Sequence, residues 1–149
     1  MNIRRYSDPD LSGILALCSQ EGWPSLVETP LRANRVLTAP GGTTVVAEED
    51  GIVVGFAQIQ SDGEIQAHLS LIAVHADHRR RGIARALIEQ GFKEAGGERI
   101  DLVTDSVANF YRELPHIRMT GYRLYPGYTG PDRYQPGLEW RDGRKVKKA

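Results

Sequence analysis

Leu69-Ser-Leu-Ile-Ala-Val-His-Ala-Asp-His-Arg-Arg-Arg-Gly-Ile-Ala-Arg-Ala-Leu-Ile88 reads as a strand, a turn holding one glycine, and the start of an amphipathic helix, joined without slack. Ile83, Ala84, Leu87, Ile88, Gly91, Phe92 and Ala95 recur at spacings of three and four, while Arg85, Glu89, Gln90, Lys93 and Glu94 take the other face. This predicts a helix from about residue 81. Its first-turn N–H groups have no intrahelical partners, Gly82 has no side chain to obstruct a ligand, and the helix dipole adds roughly half a positive charge. The stretch is therefore read as an anion-binding element, and phosphate suits it.

The rest of the chain sets the limits of that reading. Its 149 residues are expected to make one domain with a substantial core. Lys+Arg and Asp+Glu each number 19, so no global field draws the chain to nucleic acid or to an anionic membrane, and the arginine run is a local feature. The lone Cys18 excludes an internal disulfide and, among apolar helical neighbours, reads as a packed thiol with no metal ligands beside it. Met1-Asn-Ile-Arg-Arg-Tyr6 has no apolar run of signal length, and nowhere do about eighteen apolar residues follow one another, which points to a soluble cytoplasmic protein.

A short strand at 2–6 precedes Ser7-Asp8-Pro9, a helix start in which Asp8 can cap. A helix through Leu11, Ile14, Leu15, Leu17 and Cys18 stops near Gly22. After a loop at 21–25, a second helix runs through Leu31, Val36 and Leu37 to Pro40-Gly-Gly42. Strands at 43–48, 52–60 and 64–74, separated by Asp50-Gly51 and Ser61-Asp62-Gly63, make an antiparallel meander. The third strand, the helix and a strand at 99–104 form a β-α-β crossover, so the last two strands are parallel and the turn lies at a strand's carboxyl end, where open α/β sheets bind ligands. A helix at 105–112 and strands at 121–125 and 138–141 complete the pattern, and 141–149 reads as a basic, frayed tail.

Arg79-x-x-Gly82-x-Ala84 is neither a Walker loop nor a three-glycine dinucleotide fingerprint. Three consecutive arginines by themselves also suit a solvated helix start or a nucleic-acid patch. The pattern resembles the Arg/Gln-x-x-Gly-x-Gly/Ala signature of the GNAT superfamily of acyl-CoA-dependent N-acyltransferases, and the order of elements resembles that family over roughly residues 3 to 125. The resemblance implies a GNAT-like α/β fold with a mixed, mainly antiparallel sheet, and acetyl-CoA as co-substrate without a metal. Arg79, Arg80, Arg81, Gly82, Ile83, Ala84 and Arg85 would then hold the pyrophosphate. Ile72, Ala73 and Val74 would border the pantetheine arm, the backbones of Ile72 and Val74 pairing with it.

The helix-loop-helix portion resembles the part of the fold where acceptor specificity resides. There Trp23 could floor a pocket and Glu21 attract a cation, or the two could be a packed hinge and a solvated carboxylate. Residues 105–125 resemble the family's Asn-x-x-Ala-x-x-Phe/Leu-Tyr-x-x-x-Gly-Phe block. Tyr111 matches, but Thr104 stands where the asparagine would be, the alanine is displaced to Ala108, and 114–120 is an insertion, so the asparagine's coenzyme contact does not carry over.

Acyl transfer from a thioester to an amine needs a route for the amine's proton, donors for the oxyanion and a proton for the leaving thiolate. By the resemblance Tyr111 is the thiolate's partner. His68 is placed where some members carry a glutamate, and a histidine changes charge in the range that suits proton abstraction. Ordered water is the alternative base. Alternation would put Glu64, Gln66, His68 and Ser70 on one strand face. The expected activity is an N-acetyltransferase acting on a small-molecule or peptide amine, with no nucleic-acid or membrane partner. A homodimer is compatible with the sequence. The other readings are a catalytically silent acyl-CoA-binding module and, third, a nucleic-acid binder.

Overall fold

The chain was described from a computed structural model covering residues 1–104, 107–124, 126–127, 138–141 and 144–147. It divides into two compact units, Met1–Leu102 and Val103–Ala149. In the first, five strands are ordered β1-β2-β3-β4-β5: β1 (Asn2–Arg5), β2 (Gly42–Glu49), β3 (Ile52–Ser61), β4 (Gln66–Val74) and β5 (Arg99–Asp101). The first four pair antiparallel, and β5 runs parallel to β4, so the sheet is mixed and mainly antiparallel.

Local chemistry explains each junction. Asp50 and Gly51 both take positive φ, 51° and 78°, as a two-residue hairpin loop between twisted strands requires. At the next turn one Asp62 carboxylate oxygen accepts the N–H groups of Glu64 and Ile65 at 2.8 Å and of Gln66 at 3.2 Å, which holds that carboxyl below its usual range. Glu64 and Ile65 are thereby spent on the turn, so β4 begins at Gln66 and not at Glu64. At the start of the chain it is Asp10, and not Asp8, whose carboxylate takes the Ser7 N–H (2.8 Å) and the Ser7 hydroxyl (3.0 Å). Arg4 donates to the same buried carboxylate through both terminal nitrogens and holds its pKa down.

Helices cover both faces of the sheet. On one lie α1 (Leu11–Glu21), α2 (Pro24–Val27) and α3 (Pro30–Leu37), whose Ile14, Leu17, Cys18, Leu26, Ala33 and Leu37 bury Val46, Phe56 and Ala73. The prolines at the starts of α2 and α3 account for two helices where the sequence suggests one. On the other face α4 (Ile83–Ala95) packs over β2, β3 and β4 as the crossover helix. Its Gly91 makes the contact close: a Cβ there would stand 2.9 Å from Ile59 Cδ1 and 3.2 Å from Val45 Cγ2. Only glycine brings the helix axis this near the sheet.

In the second unit, α5 spans Ala108–Arg112, and β6 (Leu138–Arg141) pairs antiparallel with β7 (Arg144–Lys147). Two expectations are corrected here. Residues 144–147 form a strand, paired with 138–141, and not a frayed tail. Residues 121–124 carry no strand; a Cβ on Gly121 would lie 2.7 Å from Val103 Cγ1, so the backbone there packs against a side chain without joining a ladder.

Candidate functional site

β4 and β5 share a short ladder, Gln66 with Arg99, Ala67 with Ile100 and His68 with Asp101, and β5 ends there. Beyond it, residues 69–74 of β4 have β3 on one side and no strand partner on the other among the described residues. The His75 N–H donates to the Val54 carbonyl at 2.8 Å, and Ala73 and Leu71 face Phe56 and Gln58 in register. Alternate residues therefore bond β3, while Ile72 and Val74 direct their backbone groups to the open edge. The Val74 carbonyl is already occupied, accepting from Arg79 Nε at 3.1 Å and Gln20 Nε2 at 3.3 Å. Val74 can thus offer a ligand its N–H alone, whereas Ile72 offers both groups.

Past β4 a single 3-10 turn, Ala76–His78, leads to the arginines. Arg80 holds φ at 62° and Gly82 at 79° immediately before α4. A non-glycine residue at positive φ is uncommon and recurs where a site imposes the conformation. The first intrahelical bond runs from the Ala86 N–H to the Gly82 carbonyl at 3.1 Å. The amides of residues 80–85 donate to no protein acceptor among the described residues, and a Cβ at Gly82 would meet no protein atom within 4 Å. The helix start therefore presents a row of N–H donors to open space.

The arginine side chains are mostly engaged within the protein. Arg79 Nη2 lies 2.5 Å from Glu21 Oε1. Arg81 spans both oxygens of Glu49, at 3.1 and 2.8 Å, and Arg85 pairs with Glu89 one turn on. Among the described residues Arg80 has no ion-pair partner. Glu49 also receives His78 Nε2 at 3.2 Å, and its carboxyl is held below the usual range, first by the Arg81 hydrogen bond. Gln20, Glu49 and His78 are thus built into the turn, and sequence spacing gave no sign of them because their partners are far away in the chain.

Trp23 is half-buried at the start of α2, its ring edge-on to Phe56 with centroids 6.5 Å apart. His68 is exposed on β4 between Gln60 and Asp101, about 20 Å along the strand from Val74. With Pro40, Gly41, Gln60, Asp62 and Gln66 it borders an open depression of about 470 Å³. The face predicted for it is shorter than expected: Glu64 belongs to the turn, and the register shift opposite Gln58 and Ile59 leaves Ser70 without a partner, so the alternation stops there. Tyr111, in the second unit, is half-buried on α5 with its ring edge-on to Phe110 at 5.0 Å, and burial raises its hydroxyl pKa. Cys18 is fully buried, its thiol pushed up to about 11 chiefly by desolvation, and so is inert as a nucleophile. No described helix is long and apolar enough to cross a membrane.

Comparison with known proteins identifies the family and the fold. The family model described as an acetyltransferase (GNAT) domain matches residues 40–114, just over half of the chain. An uncharacterized N-acetyltransferase, ycf52, of Gracilaria tenuistipitata var. liui is 28% identical over 118 residues, which cover 72% of this chain and 62% of that protein. Among solved structures, a ribosomal-protein-alanine N-acetyltransferase from Brucella melitensis biovar Abortus 2308 superposes with a TM-score of 0.68 at 21% identity, covering 84% of this chain and 99% of that one. The aminoglycoside N-acetyltransferase AAC(6')-Iy, solved in complex with CoA, gives 0.65 at 20% identity, covering 86% and 100%. The match over residues 40–114 spans the meander, the arginine turn, its helix and Tyr111, and on it the chain belongs to the GNAT acetyltransferase domain family.

Proposed function

We infer that the protein transfers an acetyl group from acetyl-CoA to a primary amine by direct attack, without a covalent enzyme intermediate. The observation that carries this reading is the row of amides at 80–85 that, among the described residues, have no acceptor and lie beside a β4 edge with no strand partner beyond His68. The amides and Arg80 take the pyrophosphate. The pantetheine lies along the open edge, bonding the N–H and C=O of Ile72 and the N–H of Val74, with Ala73 facing the core between them. The amine nitrogen then attacks the thioester carbon, the C–S bond breaks, and the proton lost by the amine passes to His68. Tyr111, kept protonated by its burial, donates to the departing thiolate. The buried Cys18 thiol supports direct attack over a ping-pong route.

The test is calorimetric titration with acetyl-CoA, followed by free-thiol release with a panel of amines that includes an alanine-ended peptide and an aminoglycoside. Saturable binding and amine-dependent thiol release are expected. Binding with no release from any amine would identify a silent acyl-CoA module, and absence of binding would end the reading.

A further inference from the structure

The last two residues of α1 reach the junction of β4 with the arginine turn. Gln20 acts there like a piece of strand: its Nε2 donates to the Val74 carbonyl at 3.3 Å and its Oε1 accepts the Ala76 N–H at 2.9 Å. Beside it Glu21 holds the guanidinium of Arg79, 58 positions away in the chain. The first arginine of the signature therefore points at a carboxylate of its own protein. Glu21 is also set against its helix, since a carboxylate in the last turn faces the negative end of the dipole, and α1 has no basic residue in that turn. A local rule broken in this way, with a distant partner offsetting it, is characteristic of functional positions.

The geometry points to Arg79 as an arginine with two alternative partners: Glu21 while the turn is empty, and the pyrophosphate once acyl-CoA is bound. Glu21 is then the residue that reads the acceptor's charge. This rests on the acyl-CoA reading above. A pyrophosphate on the amides of 80–85 carries more charge than one carboxylate and can accept a two-point bond from a guanidinium, so it draws Arg79 away. Glu21 is left without a cationic partner, keeping only the hydrogen bond from Gln20 Nε2 at 3.0 Å, at the negative end of α1, where carboxylate and helix dipole together attract an ammonium group. The acyl donor thereby switches on the acceptor's binding charge, a positive coupling between the two sites. The acceptor class implied is an amine that carries a second positive charge for Glu21 besides the reacting nitrogen, whose proton goes to His68 farther along β4.

Calorimetry with CoA alone, without any amine, tests the exchange. Removing the internal competitor in Glu21→Gln should tighten CoA binding about twofold to fivefold, the range expected of a partly exposed ion pair. In an Arg79→Gln background the same change should do nothing, because the competition needs both partners. Turnover supplies the second readout: at saturating acetyl-CoA, Glu21→Gln should raise the amine KM severalfold with less effect on kcat. If Glu21 merely props the turn, Glu21→Gln will bind CoA equally or more weakly, and the proposal falls while the transferase reading stands. If the wild-type protein binds no CoA, both fall.

Discussion

Arg81 and Glu49 form a two-point ion pair across 32 positions of sequence, with Nη1 to Oε2 at 3.1 Å and Nη2 to Oε1 at 2.8 Å, tying the arginine turn to the end of β2. Because Arg81 holds the Glu49 carboxyl below its usual range, the folded chain keeps it ionised to lower pH than the unfolded chain does. The stabilisation is complete above the ordinary carboxylate range and is lost as pH falls through the lowered value. Thermal melts of wild type and Glu49→Gln should therefore differ at pH 7, wild type melting higher, and converge once pH has fallen below the lowered value. A gap that stays constant with pH would show that the pair contributes nothing through its charge.

Gly82 is predicted to matter more to acetyl-CoA than Arg80. Its φ of 79° is strained for most side chains, by about 1–2 kcal/mol, and a side chain there would project into the space proposed for the ligand. Gly82→Asn separates the two effects, since asparagine tolerates this conformation: the melting temperature should hold while acetyl-CoA affinity drops at least tenfold. Arg80→Ala should cost only a screened surface charge, a few-fold in Kd. Calorimetry giving the reverse order would place the binding energy in the side chains.

Tyr111→Phe keeps the ring edge-on to Phe110 and removes only the hydroxyl. If that hydroxyl protonates the thiolate, kcat should fall about a hundredfold with little change in the acetyl-CoA KM. Because burial raises its pKa, loss of this donor should set in at higher pH than the ionisation of a free tyrosine. Near-normal turnover in the Phe variant would reduce Tyr111 to packing.

His68 should impose an acidic limb on kcat/KM, since the neutral imidazole accepts a proton and the imidazolium cannot. His68→Gln should lower kcat/KM and leave only the ionisation of the amine. A limb unchanged in that variant would assign the base to water. His68 is exposed, so stability is expected to move by less than about 0.5 kcal/mol.

Features written in short-range pattern were legible in the sequence. Helical spacing from Ile83 to Ala95 gave α4, Asp50-Gly51 gave its hairpin, and the crossover made β5 parallel. The boundaries missed are those where a side chain claimed backbone groups, as Asp62 did with Glu64 and Ile65. The site divides in the same way. The amides at the start of α4 follow from helix geometry alone, whereas Gln20 at Val74, Glu21 at Arg79 and Glu49 at Arg81 join residues 54, 58 and 32 positions apart. No local spacing encodes such meetings. Glu21 carried the one available hint, an acid at the wrong end of its helix.

The seat of Gly91 against Ile59 and Val45 gives α4 the character of a lever. From residue 91 back to Ile83 the helix rises about 12 Å, so a methyl group at the pivot would swing the amide row by more than it shifts the pivot itself. Gly91→Ala should therefore weaken CoA binding although it touches no ligand. Sensitivity at residue 91 would then come from the mechanics of the crossover helix, with no contact between that residue and the coenzyme proposed to bind at the turn.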